Sequence, residues 1–423
     1  MLKLSTEEQA MADGRRGPVY EFAMELLIDA AELGGATSLR PIEAAYIGTS
    51  LATIRPHTDL VEWAVSHGVK VAVPTFTNVG IHDPNLWGLR PGESGEKAQR
   101  ESMHSSELHK RLGCQLAATC SPYYLPGCPQ FGAHVACSES NAVSYFNSVL
   151  GVRTAKYGDY LDFAAALTGR VPWCGLHTDA GRQAKVLFNV APLPQALDSQ
   201  QLGYHLIGHA MGRRAGVHIP VLSGVNPKAT RSDLRALGAC GASAGGVAMF
   251  HAVGLTPEAP NENAALGGHE PLGVYELGLG ELIQARAELT HFDEGAIDAV
   301  VLGTPHAALD EVQALAARMA GKRVDTNVVC YIQMSRFVFE CAKQKGWIAM
   351  LEEAGVTPVV DTCIYWRPVA SGLEGRVVTN SGKFAYYAPG ELGVETALGS
   401  LDECVESAVR GKVWRDPVLE LRA

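Results

Sequence analysis

The chain reads as an α/β protein with mostly parallel strands, and three observations predict this. Residues 41–49 and 69–75 look like strands and flank a helical stretch at 59–67, which makes a βαβ unit. Further on, strand-like runs at 299–303, 325–332 and 356–362 alternate with helical patterns at 309–320 and 337–355. The length of 423 residues, 47% hydrophobic and 19% charged, is ample for a large core in more than one lobe. Residues 1–190 are expected to form a first α/β lobe carrying a cysteine-rich stretch. Residues 191–423 are expected to form a second region that can subdivide, with the boundary near Pro192 and Pro194.

The elements follow in order. Residues 5–32 read as a helix pair, opened by a Ser5–Glu8 capping box. Residues 76–91, with Thr77, Asn78 and Asp83, have no period and are long for a connection, as functional loops often are. Residues 93–112 form a charged, solvent-facing helix. His205 and His209 share a helix face four residues apart. The glutamate that accompanies such a pair in a zinc protease is missing, so they are read as packing or hydrogen-bonding groups.

Residues 220–224 resemble a strand end, 231–237 a short helix, and 237–255 a tightly packed buried helix. The GACGASAGG run at 238–246 lacks the Gly-Lys-Ser/Thr of a phosphate loop, and its small residues allow close helix approach. His251 is read as a core histidine. Residues 281–289 and 401–410 are further helices. Thr304, His306 and Cys363 fall at strand ends, where α/β folds bind ligands. Asn380, Ser381 and Lys383 sit in a Gly-flanked loop.

Composition excludes several functions. The net charge is −10 and no basic stripe is present, so nucleic acid is not an expected partner. The first residues lack the apolar run of a secretory signal. The most apolar window is rich in Gly and Ala, so no membrane span is expected. Ten cysteines without a signal point to a reducing, cytoplasmic setting.

The chemistry concentrates at residues 114–179, which hold Cys114, Cys120, Cys128, Cys137 and Cys174. Thiolates suit iron, iron–sulfur clusters or zinc. No pair has CxxC spacing, so a buried apolar role stands equally for each. Ser138, Glu139, Ser140 and Asn141 then lead into a helix. They serve either as a cap set or as substrate-binding groups.

The segments LSTEEQAMADG, TCSPYYLPG, HVACSESNAVSYFNSVLGVRT, ALTGRVPWCGLH, MFHAVGLTPEA, LGTPHAALDE, LEEAGVTPVVDTC and TNSGKFAYYAP occur in this order. Together they resemble the large, catalytic subunit of aconitase X, over nearly the whole chain. The resemblance implies an aconitase-like, three-layer α/β catalytic portion plus a small swivel domain, either fused or separate, that contributes a serine-type base; here that domain is expected on a separate small subunit. It implies an iron-dependent hydro-lyase. The leading expectation is dehydration of cis-3-hydroxy-L-proline, a small hydroxy amino acid, to a pyrroline-2-carboxylate. Mevalonate 5-phosphate dehydratase is the alternative, and a non-catalytic iron or iron–sulfur protein is the reading from another class.

The resemblance also implies site residues. Cys120 and Cys363 match iron-binding cysteines, for mononuclear iron or a 2Fe–2S cluster. The family commonly has a third cysteine where this chain has Thr304, and Cys128, Cys137 or Cys330 are candidates to replace it. Cys137 also stands where relatives often have Trp, and Ala133 where they often have Glu. Glu139, Ser140, His177 and Lys383 are the catalytic candidates. Ser138, Asn141, Arg153, Thr154, His306, Asn380 and Ser381 are the substrate-binding candidates. His177 and Asp179 are expected to orient one another.

Overall fold

The computed structural model describes residues 2–48, 55–80, 93–198, 200–365 and 370–419. Asp83 and most of the aperiodic 76–91 segment lie outside these residues. The described strands are β1 (Leu39–Pro41), β2 (Ala44–Ile47), β3 (Thr75–Thr77), β4 (Val135–Cys137), β5 (Arg170–Pro172), β6 (Val186–Val190) and β7 (Pro220–Ser223). They continue with β8 (His251–Ala252), β9 (Gly273–Leu277), β10 (Ala299–Leu302), β11 (Val329–Met334), β12 (Val356–Val360), β13 (Arg376–Thr379) and β14 (Glu395–Leu398).

Three sheets are wholly parallel, with orders β3-β2-β4, β8-β7-β6-β9 and β12-β11-β10-β13-β14. Strands β1 and β5 form a small antiparallel pair. Helices cover the sheets, as the α/β reading requires. Among the described residues, no helix is long and apolar enough to cross a membrane.

Local signals place most helices. Ser5 and Glu8 form the expected reciprocal cap of Thr6–Ala12, and Pro18–Leu33 follows. The helices Glu93–Leu112 and Leu401–Arg410 span the predicted residues. The βαβ unit is present, but its second strand starts at Thr75, not residue 69. Val71 and Ala72 instead donate their N–H groups to Leu112 O and Ala166 O, closing two helix ends. The 337–355 helix is two helices, Arg336–Gln344 and Trp347–Glu353, parted at Gly346 with φ 78°.

The glycine-rich segment behaves as its small residues require, although its bounds differ. The helix Arg231–Gly245 runs through it and packs on Gln201–Ala215. A Cβ at Gly208 would lie 2.2 Å from Leu237 O, so only glycine lets the backbones meet. The helix ends at Gly246, with φ 69°, and the chain turns into β8 instead of continuing to residue 255. His205 and His209 are hydrogen-bonded as expected. Gly382 N–H donates to His205 Nδ1, and His209 Nε2 meets Glu288 at 2.8 Å. His251 is a satisfied core histidine, with Nε2 at 2.8 Å from Arg182 O.

The five-stranded sheet positions the site. From β10 the chain moves outward to β11 and β12, then returns to β13 on the other side of β10. The resulting crevice outside the carboxyl ends is where such sheets bind ligands. A bridge between Gly80 and Thr362 brings the end of β3 to the end of β12. Two sheets therefore point their carboxyl ends at one place.

Candidate active site

A cavity of about 310 Å³ lies where those ends meet. Val79 follows β3, and Glu139 and Ser140 follow β4. Gly303, Thr304 and His306 follow β10, Gln333 closes β11, Cys363 and Tyr365 follow β12, and Lys383 follows β13. Cys120 enters from the loop after Glu93–Leu112. Asp361, at φ 62°, turns the chain beyond β12, and Cys363 N–H donates to Gly80 O at 3.2 Å.

His306 ties the two cysteine turns together. Its backbone N–H donates to Cys120 Sγ at 3.2 Å. Its Nδ1 meets Thr119 Oγ1 at 3.0 Å, and its Nε2 meets Thr362 O at 2.9 Å. Its carbonyl accepts from Ser121 Oγ and Arg235 Nη1, both at 3.0 Å. Burial pushes the imidazole down to about 4, so the ring is neutral. The sequence reading gave His306 to the substrate; the structure engages both ring nitrogens in the clamp instead.

Lys383 and Glu139 form a buried ion pair at 2.6 Å. Asn141 Nδ2 donates to the same carboxylate at 2.6 Å and to Cys120 O at 2.8 Å. Tyr123 Oη donates to Asn141 Oδ1 at 2.6 Å and fixes the amide. Burial acts to raise the Glu139 carboxyl, but the Lys383 charge and these bonds outweigh it and hold it below the usual carboxylate range. Burial likewise opposes the Lys383 charge, and Glu139 reverses that, leaving the ammonium above its ordinary value.

Burial pushes the thiols of Cys120 and Cys363 up, to about 11 and about 12. Each sulfur nevertheless accepts a backbone N–H, from His306 and Tyr365 respectively. N–H donors to sulfur are a feature of thiolate-bound iron sites, and a bound cation deprotonates its thiols. Thr304 offers only a hydroxyl, which already accepts from Gln333 Nε2. Among the described residues no group of three or more His, Cys, Asp or Glu is placed to hold a metal. Among the described residues the donor set fits iron through two thiolates and supplies no third.

None of the proposed third ligands joins them. Cys137 is fully buried in the core, Cys330 lies inside β11 in another core, and Cys128 lines a separate groove. Apolar packing of strand interiors accounts for the first two. Asn380 and Ser381 sit in the short connection after β13 but do not line this cavity. Ser381 caps the helix Gly382–Leu392 and donates to Thr304 O, and both residues line an adjacent cavity of about 320 Å³. Ser138 is outside the lining, with its Oγ buried and without a partner.

Arg153, Thr154 and His177 also lie apart. The His134–Arg153 bridge sets them at the amino end of β4, whereas Glu139 follows its carboxyl end. Arg153 pairs with Asp179 and donates to His177 O at 3.1 Å. The His177 ring meets His134 Nδ1 at 3.0 Å and Tyr157 Oη at 2.6 Å, not Asp179. Thr154 is fully buried, with its N–H on Asn147 Oδ1.

Sequence reasoning missed Gln333, Tyr365, Tyr387 and Glu391, which also line the cavity. A signal for two of them is periodic: Tyr387 and Glu391 follow Lys383 at helical spacing.

Family models match in series: Aconitase X first domain over residues 1–180, second domain over 184–287 and third domain over 297–410. This chain belongs to the aconitase X family. Its fold agrees with the crystal structure of Thermococcus kodakaraensis aconitase X (holo-form), at TM-score 0.85 and 29% identity over 96% of this chain and 100% of that one. Similar aconitase X relatives include a cis-3-hydroxy-L-proline dehydratase of Hypocrea jecorina, 34% identical over 97% of this chain and 69% of that protein. The Pseudomonas aeruginosa protein of the same name is 35% identical over 97% and 70%. The phosphomevalonate dehydratase large subunit of Thermococcus kodakarensis is 32% identical over 96% and 99%.

Proposed function

We propose that this chain is the large, catalytic part of a hydro-lyase that removes water from cis-3-hydroxy-L-proline to give a pyrroline-2-carboxylate. The observation that carries the substrate choice is the charge of the cavity. Lys383 is the one cation among its described lining residues, and Glu139 already neutralises it. A phosphate ester calls for more positive charge. The identities to the two cis-3-hydroxy-L-proline dehydratases support the same choice.

The reaction breaks a C–H bond at C2 and a C–O bond at C3, releasing water. Cys120 and Cys363 would hold iron, as a single ion or a 2Fe–2S cluster. Bound there, iron supplies a Lewis acid for the leaving hydroxyl. Lys383 Nζ donates a proton to the departing oxygen; Glu139 holds the ammonium in place and is itself fixed by Asn141. Ser140 lines the same cavity and is available to the substrate. His306 keeps the two sulfur-bearing turns in register and stays neutral, its Nε2–H donated to Thr362 O.

A base must take the C2 proton. Glu139 is bound by Lys383 and Asn141, and both ring nitrogens of His306 are engaged. We assign the base to a small swivel-domain subunit that closes over this face. The phosphomevalonate dehydratase relative, whose name includes "large subunit", supports that assembly. Closure would also exclude water and strengthen the Lys383 contact.

The test is turnover by the iron-loaded chain with its small subunit, against both substrates. Cis-3-hydroxy-L-proline is expected to exceed mevalonate 5-phosphate in kcat/KM by on the order of a hundredfold or more. The opposite order, or bound iron without turnover of either compound, contradicts the reading.

A further inference from the structure

We infer that Tyr387 and Glu391, on the helix Gly382–Leu392, recognise the ammonium group of the substrate. The inference rests on the hydroxy-amino-acid reading above and adds the residues that select its charge. Lys383, Tyr387 and Glu391 stand at i, i+4 and i+8, so they share one helix face, and all three line the cavity.

That face is polar along its length. At the helix start Lys383 is engaged by Glu139 at 2.6 Å. One turn on, Tyr387 meets Tyr365 edge-on, with centroids 6.3 Å apart and planes at 80°. Tyr365 is fixed in turn by stacking on Phe384 at 5.5 Å and by donating to Lys383 O at 3.2 Å. A further turn brings Glu391, which is exposed at the mouth and makes no ion pair among the described residues. Pro389 removes one helical N–H, and Thr396 Oγ1 supplies Ala385 O with a donor at 3.2 Å instead.

The described lining carries two carboxylates and one cation. With Glu139 engaged by Lys383, the unmatched charge is Glu391, and it is negative. A carboxylate beside an aromatic ring attracts an ammonium through both its charge and the ring quadrupole. A cyclic amino acid with its C3 oxygen toward Lys383 turns its ring nitrogen, two bonds from C3 across C2, toward Tyr387 and Glu391. A phosphate monoester has no cation to offer, and Glu391 repels its charge.

The test compares L-proline with cyclopentanecarboxylate, which keeps the ring and carboxylate but has no nitrogen. Both are titrated calorimetrically into the iron-loaded holoenzyme. Glu391→Gln is expected to weaken L-proline about tenfold, the loss of one charge-assisted contact, and to leave cyclopentanecarboxylate within about twofold. Tyr387→Leu should weaken L-proline by about fivefold, with the same selectivity. KM for cis-3-hydroxy-L-proline should rise in parallel, with kcat nearly unchanged. Equal weakening of both ligands, or unchanged L-proline binding and KM in Glu391→Gln, overturns the assignment while the substrate reading stands. A wild-type enzyme that dehydrates mevalonate 5-phosphate and not hydroxyproline overturns the substrate reading and the assignment together.

Discussion

Lys383→Met is expected to abolish dehydration and to destabilise the fold at the same time. Lys383 and Glu139 are both nearly buried and meet at 2.6 Å. Removing one partner leaves a buried carboxylate unmatched, which typically costs about 3–5 kcal/mol. Asn141 still donates to Glu139, so the lower end of that range is expected. Turnover should fall by on the order of a thousandfold, the scale of losing a positioned proton donor. The double variant Lys383→Met with Glu139→Gln separates the two effects. It should recover most of the stability, since no charge is left unmatched, and none of the turnover. Wild-type kinetics in Lys383→Met, or recovered turnover in the double variant, would remove Lys383 from the chemistry.

The protein is also expected to lose stability steeply below about pH 6. Three buried histidines outside the cavity lining have depressed values: His109 at about 4, His177 at about 3 and His205 at about 3, each mainly through burial. His109 faces Ser105 and His57, and His177 faces His134 and Tyr157. His205 faces the Gly382 N–H and lies near the Arg235 charge. None of these neighbours favours the charged ring enough to offset burial. An unfolded histidine takes up its proton near pH 6.5, well above these folded values. The unfolded state therefore binds more protons between about pH 6.5 and 4, and stability falls as pH falls through that window. Each histidine should contribute a loss of about 2 kcal/mol between pH 7 and 5. Urea midpoints at pH 7.5, 6 and 5 measure this, and a midpoint unchanged from pH 7.5 to 5 would contradict it.

The parts of the fold that sequence revealed are those with local causes. The Ser5–Glu8 cap and the helices Glu93–Leu112 and Leu401–Arg410 follow from caps and periodicity within a few residues. Strand-end logic brought Cys363, His306 and Thr304 to the cavity. The errors have non-local causes. Ser381 and Gly382 look like a turn, but Ser381 is a cap and Lys383 stands in the first turn of a helix. Arg153 and Glu139 are close in the chain, yet the length of β4 lies between them. His306 resembles a substrate ligand in sequence; only the folded turns show that Thr119 and Thr362 occupy its ring. Strands β6 and β9 escaped the sequence reading, which placed a lobe boundary just after Val190 instead of a sheet through it.

The central claim is that Cys120 and Cys363 together hold iron at this cavity. Iron per chain, with the thiolate-to-iron absorption, should be measured in wild type and in Cys120→Ser, Cys363→Ser, Cys128→Ser and Cys137→Ser. Loss of nearly all iron and of the absorption band is predicted for the first two variants, and retention for the last two. Full occupancy in both Cys120→Ser and Cys363→Ser, or loss in Cys128→Ser or Cys137→Ser with those two intact, would contradict it.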